Sequence, residues 1–257
     1  MRVSERARQP LREPGRAGLP DPFGNRLLAA LSEVTRARVA ATVDVVALDR
    51  QQYTNRYDAP MQTVDFPIDM VMSVVATLAN GSTCEVATVG REGFVEVDAA
   101  LSSRIAHRTS FCQIPGHVAR MPIDAFQAEL NTNPEFTAIV LRAVRARAFM
   151  TEQLATCNLK HTIVERFGRW LLMTRDRLGR REFNVTHEFL AMMLGARRAG
   201  VSQAAATLHA GGAIAYRRGL VRILDDDVLA ARACECYAAE RDAIETSFRK
   251  HDRGHPR

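Results

Sequence analysis

The chain has 257 residues, of which 47% are hydrophobic and 25% charged, a balance that excludes a disordered, collagen-like or fibrous protein. No apolar run approaches the roughly 18 residues of a membrane span, because the stretch from Met70 to Ala79 is broken by Ser73 and Thr77. The opening MRVSERARQPLREPGRAG has no apolar segment after its charges, so it does not read as a secretory signal and a cytoplasmic location is expected. A formal charge of +6 favours a polyanionic partner, and five irregularly spaced cysteines (Cys84, Cys112, Cys157, Cys234, Cys236) read as reduced thiols.

Residues 1–20, rich in Arg, Pro and Gly, read as a disordered tail. Asn25 can cap an amphipathic helix from Arg26 to Ala40 with Leu27, Leu28, Leu31, Val34 and Val39 near one stripe. From Val43 to Met121 the pattern changes to short β-favouring runs: Val43 to Leu48, Thr63 to Ile68, Met70 to Ala79, Thr83 to Val89, Arg108 to Ile114 and His117 to Met121. Turn signals separate them, including Asn80-Gly81, Gly90 to Gly93 and Pro115-Gly116, as in a β-sandwich or jelly-roll barrel. The barrel is assigned to 21–133. Asn133-Pro134 then caps a long helix, 134–157, whose Phe136, Val140, Ala143, Arg147, Met150 and Leu154 form a heptad-like seam. That seam can bury against the barrel or a second copy, and a second copy is the preferred partner. A further helix from His161 to Leu178 ends at Gly179. Residues 158–240 form the last domain, followed by a tail, 241–257.

The most specific signal is THEFLAMMLGARRAGVSQAAATLHAGG, Thr186 to Gly212. Thr186 can cap a short helix reaching Leu194. Gly195 then supplies the positive φ that a tight turn between crossing helices needs. Ala191 permits close approach, Val201 plugs the crossing and Leu208 continues the buried stripe, which is the pattern of a helix-turn-helix. The second helix, Arg197 to His209, leaves Arg198, Ala199, Ser202, Gln203 and Ala206 on its open face. Arg198 and Gln203 have the donor geometry to read guanine and adenine edges, whereas Thr186, Arg197 and Ser202 suit phosphate. Ala213 to Leu224 reads as two strands joined at Arg218-Gly219, a wing whose Arg217, Arg218 and Arg222 would meet the DNA backbone. Between Asn158 and Ile223 twelve basic residues stand against four acids, so the basic footprint is expected in the C-terminal third.

This order of parts resembles the Crp/Fnr superfamily of bacterial regulators. The resemblance covers Asn25 to Tyr237 and rests on the VGREG turn (Val89 to Gly93), on Cys157 to Gly179 and on Thr186 to Ala205. It implies an α+β fold: an N-terminal β jelly-roll barrel of cyclic-nucleotide-binding type, a long central dimerisation helix and a C-terminal winged helix-turn-helix. It further implies a homodimer through helix 134–157, a palindromic site on double-stranded DNA read by Arg198, Ala199 and Gln203, and RNA polymerase as a further partner. Ala199 stands where many members carry an acid, so the familiar operator is not assumed. Gly93, Arg108 and Thr109 are the candidate effector-binding residues, but Glu96 replaces a glycine of the phosphate cassette and would repel an anion, so the effector is left unassigned. An N-terminal iron–sulfur cluster is not expected, since the first cysteine is Cys84.

No cofactor, metal site or catalytic constellation is read: there is no Walker-type loop, nucleophile elbow or paired-histidine helix motif. His107, Cys112 and His117 match no ligand spacing. Cys234 and Cys236, placed on one predicted helix, would point to different faces. A cupin-type barrel enzyme with an accessory basic domain, and a winged helix that binds protein, remain the alternative readings.

Overall fold

Asn25 organises the start of the fold as its sequence suggested: its side chain accepts hydrogen bonds from the amides of Leu27 and Leu28 and donates to the carbonyls of Pro67 and Gly93. The computed structural model describes residues 18–249. The tail readings for 1–17 and 250–257 lie outside the described residues. The single helix expected from Arg26 to Ala40 is two, α1 (Arg26–Ala29) and α2 (Glu33–Ala40), because Ser32 caps a new start through the Thr35 amide. This restart rotates the stripe, so Val34 is 76% exposed although Leu27, Leu28, Leu31 and Val39 are buried.

Seven strands follow: β1 (Asp44–Leu48), β2 (Tyr53–Asn55), β3 (Thr63–Pro67), β4 (Val71–Thr77), β5 (Thr83–Val89), β6 (Thr109–Ile114) and β7 (Gly116–Pro122), with the short helix α3 (Val97–Ala100) after β5. They form two antiparallel sheets, β1-β7-β3 and β2-β6-β4-β5. Pro115 therefore joins strands of different sheets, as a jelly roll requires, and does not close a hairpin. Inside, Phe66, Phe94, Phe126 and Phe136 make a chain of ring contacts at 5.6–6.2 Å, a geometry worth somewhat more than its area alone.

Helix α4 (Ile123–Thr132) leads through Asn133 into α5 (Pro134–Lys160), 27 residues and so roughly 40 Å long. The structure turns the expected seam inward: Phe136 and Val140 are buried in the barrel core, and Arg147 donates to the Phe94 carbonyl. A different stripe, with Leu141 47% and Leu159 83% exposed, faces outward.

Thr162 and Glu165 form a capping box at the start of α6 (Ile163–Leu178), which Gly179 ends in the left-handed conformation. After β8 (Glu182–Asn184) come α7 (His187–Met193), α8 (Arg198–Ala210), the hairpin β9 (Ile214–Arg217) and β10 (Leu220–Ile223), α9 (Asp226–Arg232) and α10 (Cys236–Phe248). The third sheet has the order β8-β10-β9, so the expected two-stranded wing gains a third strand, β8, beside β10. The tail expected from 241 is helical as far as Phe248, and α10 packs along α5. The winged domain does not have a core of its own: Val71, Val75, Phe111 and Ile114 of the barrel join Phe167, Phe189, Leu190 and Val201 in one apolar cluster. No helix among the described residues is long and apolar enough to cross a membrane.

Candidate nucleic-acid interface

Helix α7 begins at Thr186, whose hydroxyl accepts from the Phe189 amide, and buries Phe189, Leu190 and Met193. Gly195, at φ 55°, turns the chain, and no atom crowds the place where a Cβ would sit, so backbone conformation alone requires glycine there. Helix α8 then crosses with Val201, Ala204, Ala205 and Leu208 buried. This apolar face fixes the opposite one: Arg197, Arg198, Ala199, Gln203 and Ala206 are exposed. Arg197 is the N-cap residue of α8, and Thr186 is also exposed. Ser202 differs from the rest of the face, being half-buried with its hydroxyl 2.9 Å from His187 Nδ1.

His187 is the residue the sequence did not single out. Its ring stacks on Tyr216 of β9 at 4.4 Å, and the Tyr216 hydroxyl donates to the Val185 carbonyl. It thus links the polar side of α8 to the wing. Burial, aided by the charge of Arg198, lowers its pKa below the ordinary histidine range, so it is neutral near pH 7. Its only sequence signal was its place directly after a helix cap.

The wing carries exposed Arg217 and Arg218 at its tip. Arg218 and Gly219 have φ 51° and 83°, the doubly positive pattern of a type I′ hairpin turn. Arg222 is also exposed, 3.9 Å from Glu182. The basic surplus counted from sequence is less of a surface than expected. Arg166, Arg169 and Arg177 are buried; Arg169 pairs with Glu240 at 2.6 Å, Arg177 with Glu92 at 2.7 Å, and Arg166 donates to the Leu194 carbonyl. Arg175 and Arg181 pair with Asp226. Of the twelve, Arg197, Arg198, Arg217, Arg218 and Arg222 remain exposed at the α8 start and the wing, and Lys160 and Arg180 are exposed elsewhere.

In the barrel, a cavity of about 560 Å³ is lined by Asn55, Glu96, Asp98, Arg108 and Arg147, among others. Of the three candidate effector residues only Arg108 lines it. Gly93 faces Val89 and Arg147 beside α5, and the Thr109 hydroxyl accepts from the Tyr57 amide. Glu96 is buried, with its carboxylate accepting from Asn55 Nδ2 and the Asp65 amide. Burial, reinforced by Asp65, raises its pKa, so its negative charge is weaker than the sequence implied. His107, Cys112 and His117 do not converge: His107 lies against Asp98, His117 against Asp69, and Cys112 points to the Leu48 carbonyl. Cys234 and Cys236 depart from expectation, since Cys234 precedes α10 and both thiols approach Cys157 and His161.

A buried turn-linked helix pair, an exposed polar face and an adjoining wing define a winged helix-turn-helix, here joined to a jelly-roll barrel by a long helix. Residues 165–232 match the family model of the Crp-like helix-turn-helix domain. No curated protein is a significant match to the chain. Among solved structures, FixK2 from Bradyrhizobium japonicum aligns at TM-score 0.63 and 14% identity over 75% of this chain and 98% of that one. A Crp-family transcriptional regulator from Thermus thermophilus aligns at TM-score 0.62 and 19% identity, over 75% and 99%. The c-di-GMP-responsive global regulator CLP of Xanthomonas campestris aligns at TM-score 0.61 and 16% identity, over 76% and 100%. Residues 165–232 are thus a Crp-like helix-turn-helix domain, and about three quarters of the chain shares the fold of these solved regulators.

Proposed function

We infer that the protein is a non-enzymatic, cytoplasmic transcription regulator that binds a palindromic operator as a homodimer. The observation that carries this reading is the α8 face. Arg197, Arg198, Ala199 and Gln203 are exposed on one side of a helix whose other side is buried, with Arg217 and Arg218 of the wing also exposed. Arg198 and Gln203 read base edges; Thr186, Arg197, Arg217 and Arg218 hold phosphates. Ser202 acts through His187, keeping α8 in register with the wing. The second copy docks on the outward stripe of α5, where Leu141, Ala148, Ala155 and Leu159 are exposed at spacings near a heptad. The barrel cavity takes a small-molecule effector through Arg108, and Gly93 and Thr109, which do not line it, are left without a part in that binding. RNA polymerase is the further partner such a regulator engages.

Selection of bound sites from random duplex DNA tests this reading. The wild-type chain should enrich one palindrome, with affinity falling steeply as salt rises. Arg198→Ala should lose preference at one base pair per half-site, about 1–3 kcal/mol of discrimination, while remaining folded. Unchanged discrimination in that variant would reject the assigned face, and little affinity for any duplex at low salt would favour a protein-binding winged helix.

A further inference from the structure

Three cysteines and a histidine meet where α5 gives way to the winged domain. Cys157 and His161 stand one helical turn apart at the end of α5, so they share a face. Cys234, in the link after α9, and Cys236, the first residue of α10, flank Glu235 and return to the same point, Cys234 lying 77 positions along the chain from Cys157. All four donor atoms lie within 4.8 Å of one another. Cys157 Sγ is 3.5 Å from Cys234 Sγ, and Cys236 Sγ is 3.6 Å from His161 Nδ1. A zinc ion at about 2.3 Å from thiolates and about 2.0 Å from imidazole has tetrahedron edges of roughly 3.5–3.8 Å. Two edges already have that length, and the others lie within about an ångström of it.

We propose that Cys157, His161, Cys234 and Cys236 form a Cys3His zinc site that fastens both ends of the helix-turn-helix domain to the long helix. The surroundings are those of a ligand shell. His161 turns Nδ1 inward and places Nε2 3.2 Å from the Glu235 carboxylate, which holds the ring and fixes Nδ1 as the free donor. The Gln153 side-chain amide donates to Cys236 Sγ at 3.0 Å. Three thiolates and one divalent ion leave one negative charge, and buried Arg166 and Arg169 stand close enough to act on the thiols. Binding then releases to solvent the protons still held by the thiols and by His161, which makes affinity fall with pH. A Cys157–Cys234 disulfide would instead draw the sulfurs to about 2.0 Å and leave Cys236, His161 and their polar partners without a role.

The site's position assigns it a mechanical task. Cys157 and His161 immediately precede α6, and Cys234 and Cys236 immediately follow α9, so one ion closes the loop that contains the whole winged domain. Loss of the ion by chelation would open that closure and leave the domain held by its apolar contact with the barrel.

The test uses the full chain, purified anaerobically under reductant and reconstituted with zinc, then with cobalt. Elemental analysis and native mass spectrometry should give one zinc per chain. Cobalt should give the visible bands and sulfur charge-transfer absorption of a tetrahedral thiolate site. Cys234→Ser should lose the ion, Cys84→Ser should keep it, and Glu235→Gln should weaken it by about 10–100-fold. His161→Gln, at a side chain only 14% exposed but on the rim, provides a second ligand variant should Cys234→Ser misfold. A reduced wild-type chain that takes up no zinc or cobalt overturns the proposal, as does a cobalt spectrum without sulfur charge transfer, or an affinity unchanged in both ligand variants.

Discussion

Arg218→Asn isolates what the wing contributes. Arg218 is exposed at the hairpin tip with φ 51°, a conformation that costs an ordinary side chain about 1 kcal/mol and that asparagine tolerates better. The substitution therefore removes a charge without breaking the turn, and the melting temperature should stay level or rise. If each Arg218 neutralises one phosphate, its loss lowers the slope of log affinity against log salt by about 0.9, and by about 1.8 for a dimer. Over a rise from roughly 50 to 200 mM salt, the gap between wild type and variant should narrow by about tenfold, equally on operator and random duplex. Fluorescence anisotropy titrations at several salt concentrations measure both quantities. A loss confined to the preferred operator, or an unaltered slope with the fold intact, would show that the wing does not lie on the backbone.

Two further outcomes probe the assembly and the seam between barrel and winged domain. Replacing both Leu141 and Leu159 by Glu should give a monomer in light scattering and weaken operator binding by on the order of 100-fold, because two half-sites are no longer engaged together; a dimer that persists would place the interface elsewhere. Glu85 accepts from Ser73 and Gln113 beneath α7, and burial pushes its pKa up to about 8 despite Ser73, Arg177 and Arg169. An acid raised in the folded state binds more protons there than when unfolded, so stability is fully present below about pH 4.5 and declines as pH rises through about 8. Wild type should lose melting temperature from about pH 6 to about pH 8.5, and Glu85→Gln should remove roughly one proton's share of that slope, leaving the contributions of Glu96 and Glu240, which are also raised. An identical slope in the variant would mean that Glu85 is already ionised in the fold.

The parts of this molecule that could be read from sequence are those specified by neighbours a few positions away. The β4–β5 hairpin, the cap at Thr186, the Gly195 turn and the alternation of buried and exposed positions along α8 each follow from a local rule, and each is present. What was missed depends on partners far along the chain. The α5 seam is apolar whether a barrel or a second helix covers it, and only the fold shows that Phe136 and Val140 meet the barrel. Charge counting assigned Arg169 and Arg177 to the surface because their partners, Glu240 and Glu92, lie 71 and 85 positions away. The same blindness hid the thiol cluster: two ligands close α5, one sits in the link after α9 and one opens α10, so neither half has the spacing of a complete site. Read as residues of one helix, Cys234 and Cys236 would diverge. With α10 starting at Cys236, Cys234 lies outside the helix, and that shift of two residues turns an incidental pair into half of a tetrahedron.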